Sequence, residues 1–190
     1  MLQAEALRIL HQWSCRGRVI FTHQDLRKLF PGDREAAFRA SLGRLVRAGY
    51  VQRVTHGIYL YALVGRRPPH LLENIAVARR RGYYNYLSLE SALAEYGVIS
   101  QVPLAGITVM TTGRSGCFST PFGRIEFTHT KRTVHDILVH TNEVGRPCRL
   151  ATPATAFTDL KRVGRNLHLV DEEELADVMA EQQREMANAK

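Results

Sequence analysis

The chain has 190 residues, of which 45% are hydrophobic and 23% charged, a balance typical of a globular protein and not of a disordered or fibrous one. Its 26 Lys and Arg against 18 Asp and Glu give a net charge of +8, which favours a polyanionic partner. Widely spaced Cys15, Cys117 and Cys148 exclude a disulfide framework, and the lack of a long apolar run or signal core leads us to expect a cytoplasmic protein without a membrane partner.

The first third of the chain has the pattern of three short helices followed by a β-hairpin. Thr22 and Asp33 each offer a side-chain oxygen to cap the helix that follows, and Gly49 ends the third helix. In chain order we predict a helix over Ala4–Ser14, a strand over Val19–Phe21, a helix with apolar Leu26, Leu29 and Phe30, a helix with apolar Phe38, Leu42, Leu45 and Val46, and hairpin strands over Tyr50–Val54 and Ile58–Ala62. This order is typical of a winged helix-turn-helix.

Helices and strands alternate irregularly in the rest of the chain. The predicted helices are Leu71–Arg81, Leu89–Tyr96, Thr152–Lys161 and Asp171–Arg184, and the predicted strands are Tyr83–Leu87, Ile107–Thr111, Thr120–Phe122 and Ile125–His129. Ser88, Thr152 and Asp171 are the expected helix caps. The fold class is therefore α+β: an N-terminal winged helix-turn-helix followed by a small mixed α/β domain with an acidic C-terminal helix.

The charge is unevenly distributed between these parts. Residues 1–67 contain 12 of the 26 basic and 4 of the 18 acidic side chains, so the whole positive excess lies there. Residues 171–190 instead contain seven acidic and two basic side chains. Because Arg66–Pro69 is a charged, proline-stiffened break, we predict a DNA-binding domain over 1–65, a linker over 66–70 and a second domain over 71–190.

The predicted third helix carries small residues and arginines opposite its apolar stripe. Small side chains allow a helix to lie deep in the DNA major groove, and arginines beside them can bind guanine edges or phosphates. The candidate DNA contacts are Arg39, Ala40, Arg44 and Arg47 in the third helix, Arg53, Thr55 and His56 in the hairpin, and Thr22, His23 and Gln24 at the start of the second helix. A solvated helix face, and ordinary helix capping by Thr22, are the alternative interpretations.

Three segments resemble antitoxins of the AbiEi family. They are LGRLVRAGYVQRVTHGIYL at Leu42–Leu60, YLSLESALAEYG at Tyr86–Gly97 and LATPATAFTDL at Leu150–Leu160. The family pattern departs after Leu160, where the remaining chain is short and ends in an acidic helix. By position, the resemblance places DNA reading on the third helix and the hairpin, and the family's second-domain signature on Ser88, Glu90, Ser91 and Tyr96.

The resemblance implies an antitoxin of a type IV toxin-antitoxin or abortive-infection system. Such a protein represses its own operon and counteracts a nucleotidyltransferase-like toxin. The expected partners are therefore double-stranded operator DNA with an inverted repeat and the cognate toxin, with the second domain supplying contacts to that toxin or to a second copy in a homodimer.

Other chemistries have weaker support in the sequence. Ser88, Glu90 and Ser91 combine hydroxyls with an acid, but no histidine stands in a defined relation to them. His129, His135 and His140 are spaced so that no two share one helical turn. We therefore expect no enzyme activity, metal or cofactor. The alternative function is a one-component winged-helix regulator whose α/β domain senses a small ligand.

Overall fold

The computed structural model describes residues 1–65, 67–100 and 106–188, so Arg66 of the predicted 66–70 linker lies outside the described residues. The described residues form eight α-helices and nine strands in two separate sheets, and the α+β class is confirmed. The chain divides into two compact units, Met1–Arg79 and Arg80–Lys190.

The first unit combines four helices with a three-stranded sheet. Its elements are α1 (Gln3–Ser14), β1 (Ile20–Thr22), α2 (His23–Leu29), α3 (Glu35–Arg47), β2 (Val51–Thr55), β3 (Ile58–Tyr61) and α4 (Leu71–Arg79). The strands pair antiparallel in the order β1-β3-β2. Gly57 closes the β2–β3 hairpin at φ +74°, a backbone conformation that glycine adopts without steric cost.

One hydrophobic core joins α1, α2 and α3 to this sheet. Its fully enclosed side chains are Ala6, Leu10, Phe21, Leu26, Phe30, Phe38, Leu42, Leu45, Val51 and Tyr61. Phe38 is 0% exposed, and truncating such a buried ring to alanine typically costs about 3–5 kcal/mol. Since α3 contributes Phe38, Leu42 and Leu45 to the core from one side, its opposite side faces solvent.

Thr22 caps α2 as predicted, whereas the prediction that Asp33 caps α3 is wrong. The Thr22 side chain accepts a hydrogen bond from the Asp25 backbone N–H, and the Asp25 carboxylate accepts one from the Thr22 N–H at 2.8 Å. The N-cap position of α3 is Arg34, which makes no side-chain capping bond. The Asp33 carboxylate instead accepts from the Met1 ammonium group at 2.7 Å, a charge-assisted bond that is stronger than a bond to a backbone amide.

Helix α4 belongs to the first unit, although the sequence analysis assigned its residues to the second domain. It contacts β1 and β3, and its Ile75 and Ala76 are buried. The proline-rich segment therefore precedes a helix of the first unit, and the division between the units falls after Arg79.

The second unit is built on a six-stranded sheet. Its elements are β4 (Asn85–Leu87), α5 (Leu89–Glu95), β5 (Gly106–Thr111), β6 (Gly116–Thr120), β7 (Gly123–His129), α6 (Val134–Val139), β8 (Thr141–Asn142), β9 (Arg149–Ala151), α7 (Pro153–Val163) and α8 (Glu172–Asn188). The strand order is β6-β7-β5-β4-β9-β8, with parallel pairing between β5 and β7 and between β4 and β9. The short elements α6, β8 and β9 were not predicted.

Two of the three predicted caps of this unit are present. The Thr152 side chain accepts from the Thr155 backbone N–H at the start of α7, with Pro153 in the first turn. The Asp171 carboxylate accepts from the backbone N–H groups of Glu173 and Glu174 at the start of α8. Ser88 occupies the N-cap position of α5 but makes no capping bond with its side chain, so that prediction is wrong.

Ser88 instead joins a buried network around Asp159 of α7. Asp159 is 1% exposed and accepts hydrogen bonds from the Tyr86 hydroxyl and the Ser88 hydroxyl, both at 3.0 Å, while Arg132 pairs with it at 3.3 Å. A buried carboxylate is costly unless such partners satisfy it. The network ties α7 to β4 and to Ser88 at the N-cap position of α5.

We predict that Tyr86→Phe lowers the free energy of unfolding by about 1–3 kcal/mol, because it removes a donor from the buried Asp159 carboxylate. Denaturant unfolding would measure the change. The matched control is Tyr84→Phe, since Tyr84 is 44% exposed and should change stability by no more than about 0.5 kcal/mol. Equal stability of both variants would contradict a stabilising role for the network.

Alkaline pH should also destabilise the second unit through Tyr86. Burial, followed by the negative charge of Asp159, raises the pKa of Tyr86 above its ordinary value of 10.0. The unfolded chain therefore releases this proton first, and the stabilisation present below pH 10 is lost as the pH rises above 10, by about 1.4 kcal/mol per pH unit. Urea unfolding between pH 9 and 11 should show a shallower decline for Tyr86→Phe than for the unaltered chain; parallel declines would contradict this assignment.

Candidate nucleic-acid interface

An open groove on the first unit lies between the first turn of α2, one flank of α3 and the β2–β3 hairpin. Six of the ten predicted DNA contacts line this groove: His23, Gln24, Arg39, Arg47, Arg53 and His56. Leu42, Gly43, Val46, Gly57 and Tyr59 supply the remaining, largely apolar lining. Polar and cationic side chains from α2, α3 and the hairpin thus border one concave surface.

Two arginines of this groove have no acidic partner. Arg47 at the end of α3 and Arg53 in β2 are both exposed. Neither forms an ion pair with any of the residues that the structure describes. Their charges are therefore available to an anion in the groove, and a guanidinium is well suited to phosphate because its planar fork can donate two hydrogen bonds.

Gly43 keeps the middle of α3 open between the flanking arginines. A Cβ atom placed on Gly43 would meet one atom within 4 Å, Nη1 of Arg47, at an ordinary contact distance of 3.9 Å. Ala40, one turn earlier, is also exposed. The helix backbone can therefore be approached closely along this side, as helix insertion into a major groove requires.

Four predicted contacts lie outside the lining of the groove. Arg44 donates a hydrogen bond to Ser41 Oγ at 2.8 Å on the other flank of α3, and Ala40 is exposed on the same helix. The Thr22 hydroxyl is occupied in the capping interaction with Asp25. Thr55 is half-buried at the end of β2, where it pairs with Ile58. These four residues therefore do not share the groove with the other six predicted contacts.

The hairpin tip is supported by a residue that the sequence analysis missed. Arg53 Nη2 donates to His56 Nδ1 at 3.2 Å, and Arg79 Nη1, at the end of α4, donates to the His56 carbonyl oxygen at 3.3 Å. The sequence analysis placed Arg79 only within the predicted helix Leu71–Arg81 of the second domain. No local pattern indicates its position, because 23 residues separate it from His56.

Glu35 is a second missed residue, at the first position of α3. Its carboxylate contacts three cationic or titratable side chains: Arg39 Nε at 2.6 Å, Arg27 Nε at 3.3 Å and His23 Nε2 at 3.7 Å. The spacing of Glu35 and Arg39 is that of an i,i+4 helical ion pair, a signal that could have identified Glu35 from the sequence.

The second-domain signature residues are occupied within their own unit. Ser88 is 0% exposed and bonded to Asp159, while Glu90 is 4% exposed and receives a bidentate contact from Arg165 at 2.8 and 3.2 Å. Ser91 exchanges hydrogen bonds with Thr108, and the Tyr96 hydroxyl donates to the Ala151 carbonyl. All four side chains therefore make structural contacts within the second unit.

Two other kinds of site are absent from the residues that the structure describes. Within residues 1–65, 67–100 and 106–188, no three His, Cys, Asp or Glu side chains are grouped closely enough to hold a metal ion. Among the helices of these same ranges, none combines the length and the apolar composition that a bilayer crossing needs.

Comparison with known proteins gives a likeness of fold. No family model matches the chain, and no curated protein matches it in sequence. The structure is similar to the crystal structure of the RV2827C protein from Mycobacterium tuberculosis, with a TM-score of 0.51 and 13% sequence identity. That similarity covers 95% of this chain and 72% of the mycobacterial chain. At this identity the comparison shows that the two chains share an overall α+β fold.

Proposed function

We propose that Met1–Arg79 is a winged helix-turn-helix domain that binds double-stranded DNA. In this assignment α2 and α3 form the helix-turn-helix, α3 is the recognition helix and the β2–β3 hairpin is the wing. The element order α1-β1-α2-α3-β2-β3 and the sheet order β1-β3-β2 support the assignment. The short connection from Phe30 to Arg34 between α2 and α3 is also typical of such a motif.

The observation that carries the proposal is the convergence of cations on the groove. Arg39 and Arg47 border it from α3, and Arg53 borders it from the hairpin. Arg47 and Arg53, which have no acidic partner among the described residues, can each replace a counterion on a phosphate and so contribute to affinity by counterion release. The net charge of the chain resides in the residues that form this unit, so the long-range field also favours approach of a polyanion.

We further propose that the protein is a repressor of its own operon and an antitoxin. The support for this part is the sequence resemblance to AbiEi antitoxins, with three segments in the family's order from the third helix to α7. The signature residues of the second unit would then maintain its fold, and toxin neutralisation would depend on other exposed parts of that unit.

Replacing Arg47 or Arg53 with alanine should weaken binding to a duplex carrying the DNA upstream of this gene. If each guanidinium contacts one phosphate, the slope of log affinity against log salt concentration should decrease by about one for each substitution. Fluorescence anisotropy between about 50 and 200 mM salt would measure both the affinity and the slope.

Arg8→Ala is the matched control for this experiment. Arg8 is an exposed arginine of α1 in the same unit and is not part of the groove lining, so its removal changes the net charge equally. Equal effects of Arg8→Ala and Arg47→Ala would attribute binding to net charge and reject the groove as the interface. Absence of binding by the unaltered chain would reject the DNA-binding function.

The antitoxin function has a separate test. A neighbouring reading frame that encodes a nucleotidyltransferase-like protein should arrest growth when expressed alone, and co-expression of this chain should relieve the arrest. Arg47→Ala should retain this relief if neutralisation resides in the second unit. The proposed antitoxin function is rejected if the unaltered chain gives no relief while both proteins accumulate.

A further inference from the structure

The pairing of Arg39 with Glu35 gives this arginine a defined orientation in the groove. We infer that Arg39 reads a guanine base in the major groove and that Glu35 is the residue that positions it. This inference rests on the proposed DNA-binding function and adds a base preference, together with a residue that controls it.

Arg39 is anchored through one edge of its guanidinium. Its Nε donates to Glu35 Oε1 at 2.6 Å, while its side chain as a whole is 71% exposed. The terminal Nη1 and Nη2 groups form no hydrogen bond or ion pair with any described residue. The edge that carries these two groups is thus available in a fixed orientation, as bidentate recognition requires.

Glu35 is in turn fixed by Arg27 of α2. Arg27 Nε lies 3.3 Å from Glu35 Oε2, and the Arg27 Nη1 group donates to the carbonyl oxygens of Phe30 at 3.1 Å and Asp33 at 3.0 Å. The Arg27 guanidinium also lies 5.1 Å from the centroid of the buried Phe38 ring. Arg39 is therefore connected to the core of the unit through Glu35 and Arg27.

The chemistry of this edge favours guanine over the other ligands that DNA offers. Guanine presents two acceptors, O6 and N7, side by side in the major groove, whereas adenine and cytosine present amino donors and thymine a single acceptor. A phosphate would also accept two hydrogen bonds, but the Glu35 carboxylate beside Arg39 repels it. A neutral base edge avoids this repulsion.

The test begins with selection of binding sites from a random duplex library by the unaltered chain, Arg39→Ala and Arg39→Lys. We expect the unaltered chain to enrich a guanine at a position where Arg39→Ala accepts any base and Arg39→Lys shows a weaker guanine preference. Arg39→Lys retains the positive charge but lacks the planar fork, so it should keep non-specific affinity while this preference is reduced.

The second step replaces the enriched guanine with 7-deazaguanine, which lacks the N7 acceptor. This replacement should weaken binding of the unaltered chain by roughly 5- to 30-fold and leave binding of Arg39→Ala unchanged. The two proteins and the two duplexes form a double-mutant cycle that isolates the contact.

Glu35 is tested with Glu35→Ala and the conservative Glu35→Gln. Glu35→Ala should reduce guanine discrimination by at least 5-fold and raise affinity for non-specific DNA, because a negative charge leaves the groove. Glu35→Gln should recover part of the discrimination, since its amide oxygen can still accept from Arg39 Nε. A merely structural role of Glu35 would reduce specific and non-specific binding together.

The outcomes separate this inference from the function on which it rests. Failure of the unaltered chain to enrich any sequence would reject sequence-specific DNA binding itself. Enrichment of a sequence whose guanines tolerate 7-deaza replacement, or whose guanine preference survives Arg39→Ala, would reject Arg39 as the reader and leave the DNA-binding proposal intact. Circular dichroism of each variant establishes that the compared proteins are folded.

Discussion

Burial of Phe38 is the constraint on which the first unit depends. The ring is 0% exposed and fixes the rotation of α3 about its own axis. His23 of α2 packs edge-on against it at 5.2 Å, and Arg27 of the same helix lies above it at 5.1 Å. A single core side chain therefore orients α3 and contacts two polar side chains of α2, of which His23 lines the groove.

This constraint explains why the groove has both an apolar floor and a cationic border. Rotation of α3 that buries Phe38 and Leu42 brings Arg39, Gly43 and Arg47 to the groove side of the helix. The same rotation leaves Arg44 on the far flank, beside Ser41. A few tens of degrees of helix rotation thus decide which arginines can act together, and hydrophobic packing determines that rotation.

Most elements of the first unit were predictable because their signals are local. Helical periodicity identified α1 and α3, and the two hairpin strands were predicted close to their observed bounds. Errors occurred where a distant partner competed with a local one. Asp33 has the composition of a cap but binds the Met1 ammonium group, and Ser88 binds Asp159, which is 71 residues away in the chain. Long-range partners of this kind leave no periodic pattern in a sequence.

The sequence predicted the types of residue that line the candidate site, but only part of the set of residues that lie together there. The arginines of α3 and the hairpin were identified, but their division between two flanks depends on the exact helix rotation. Arg79 reaches the hairpin from α4, so its role follows from tertiary packing alone. Glu35 is the exception. Its i,i+4 spacing from Arg39 was visible in the sequence, but Glu35 was counted only as one of the four acidic residues of the first third.

The open space around Gly43 has an evolutionary consequence. Gly43 and the neighbouring exposed positions of α3 contribute nothing to the core, so substitutions there would change the surface of the groove at little cost in folding stability. Under the proposed DNA-binding function, descendants of this chain could therefore acquire new target sequences while the scaffold is preserved. Under the same proposal, paralogues within one genome could diverge at these positions and bind different DNA targets.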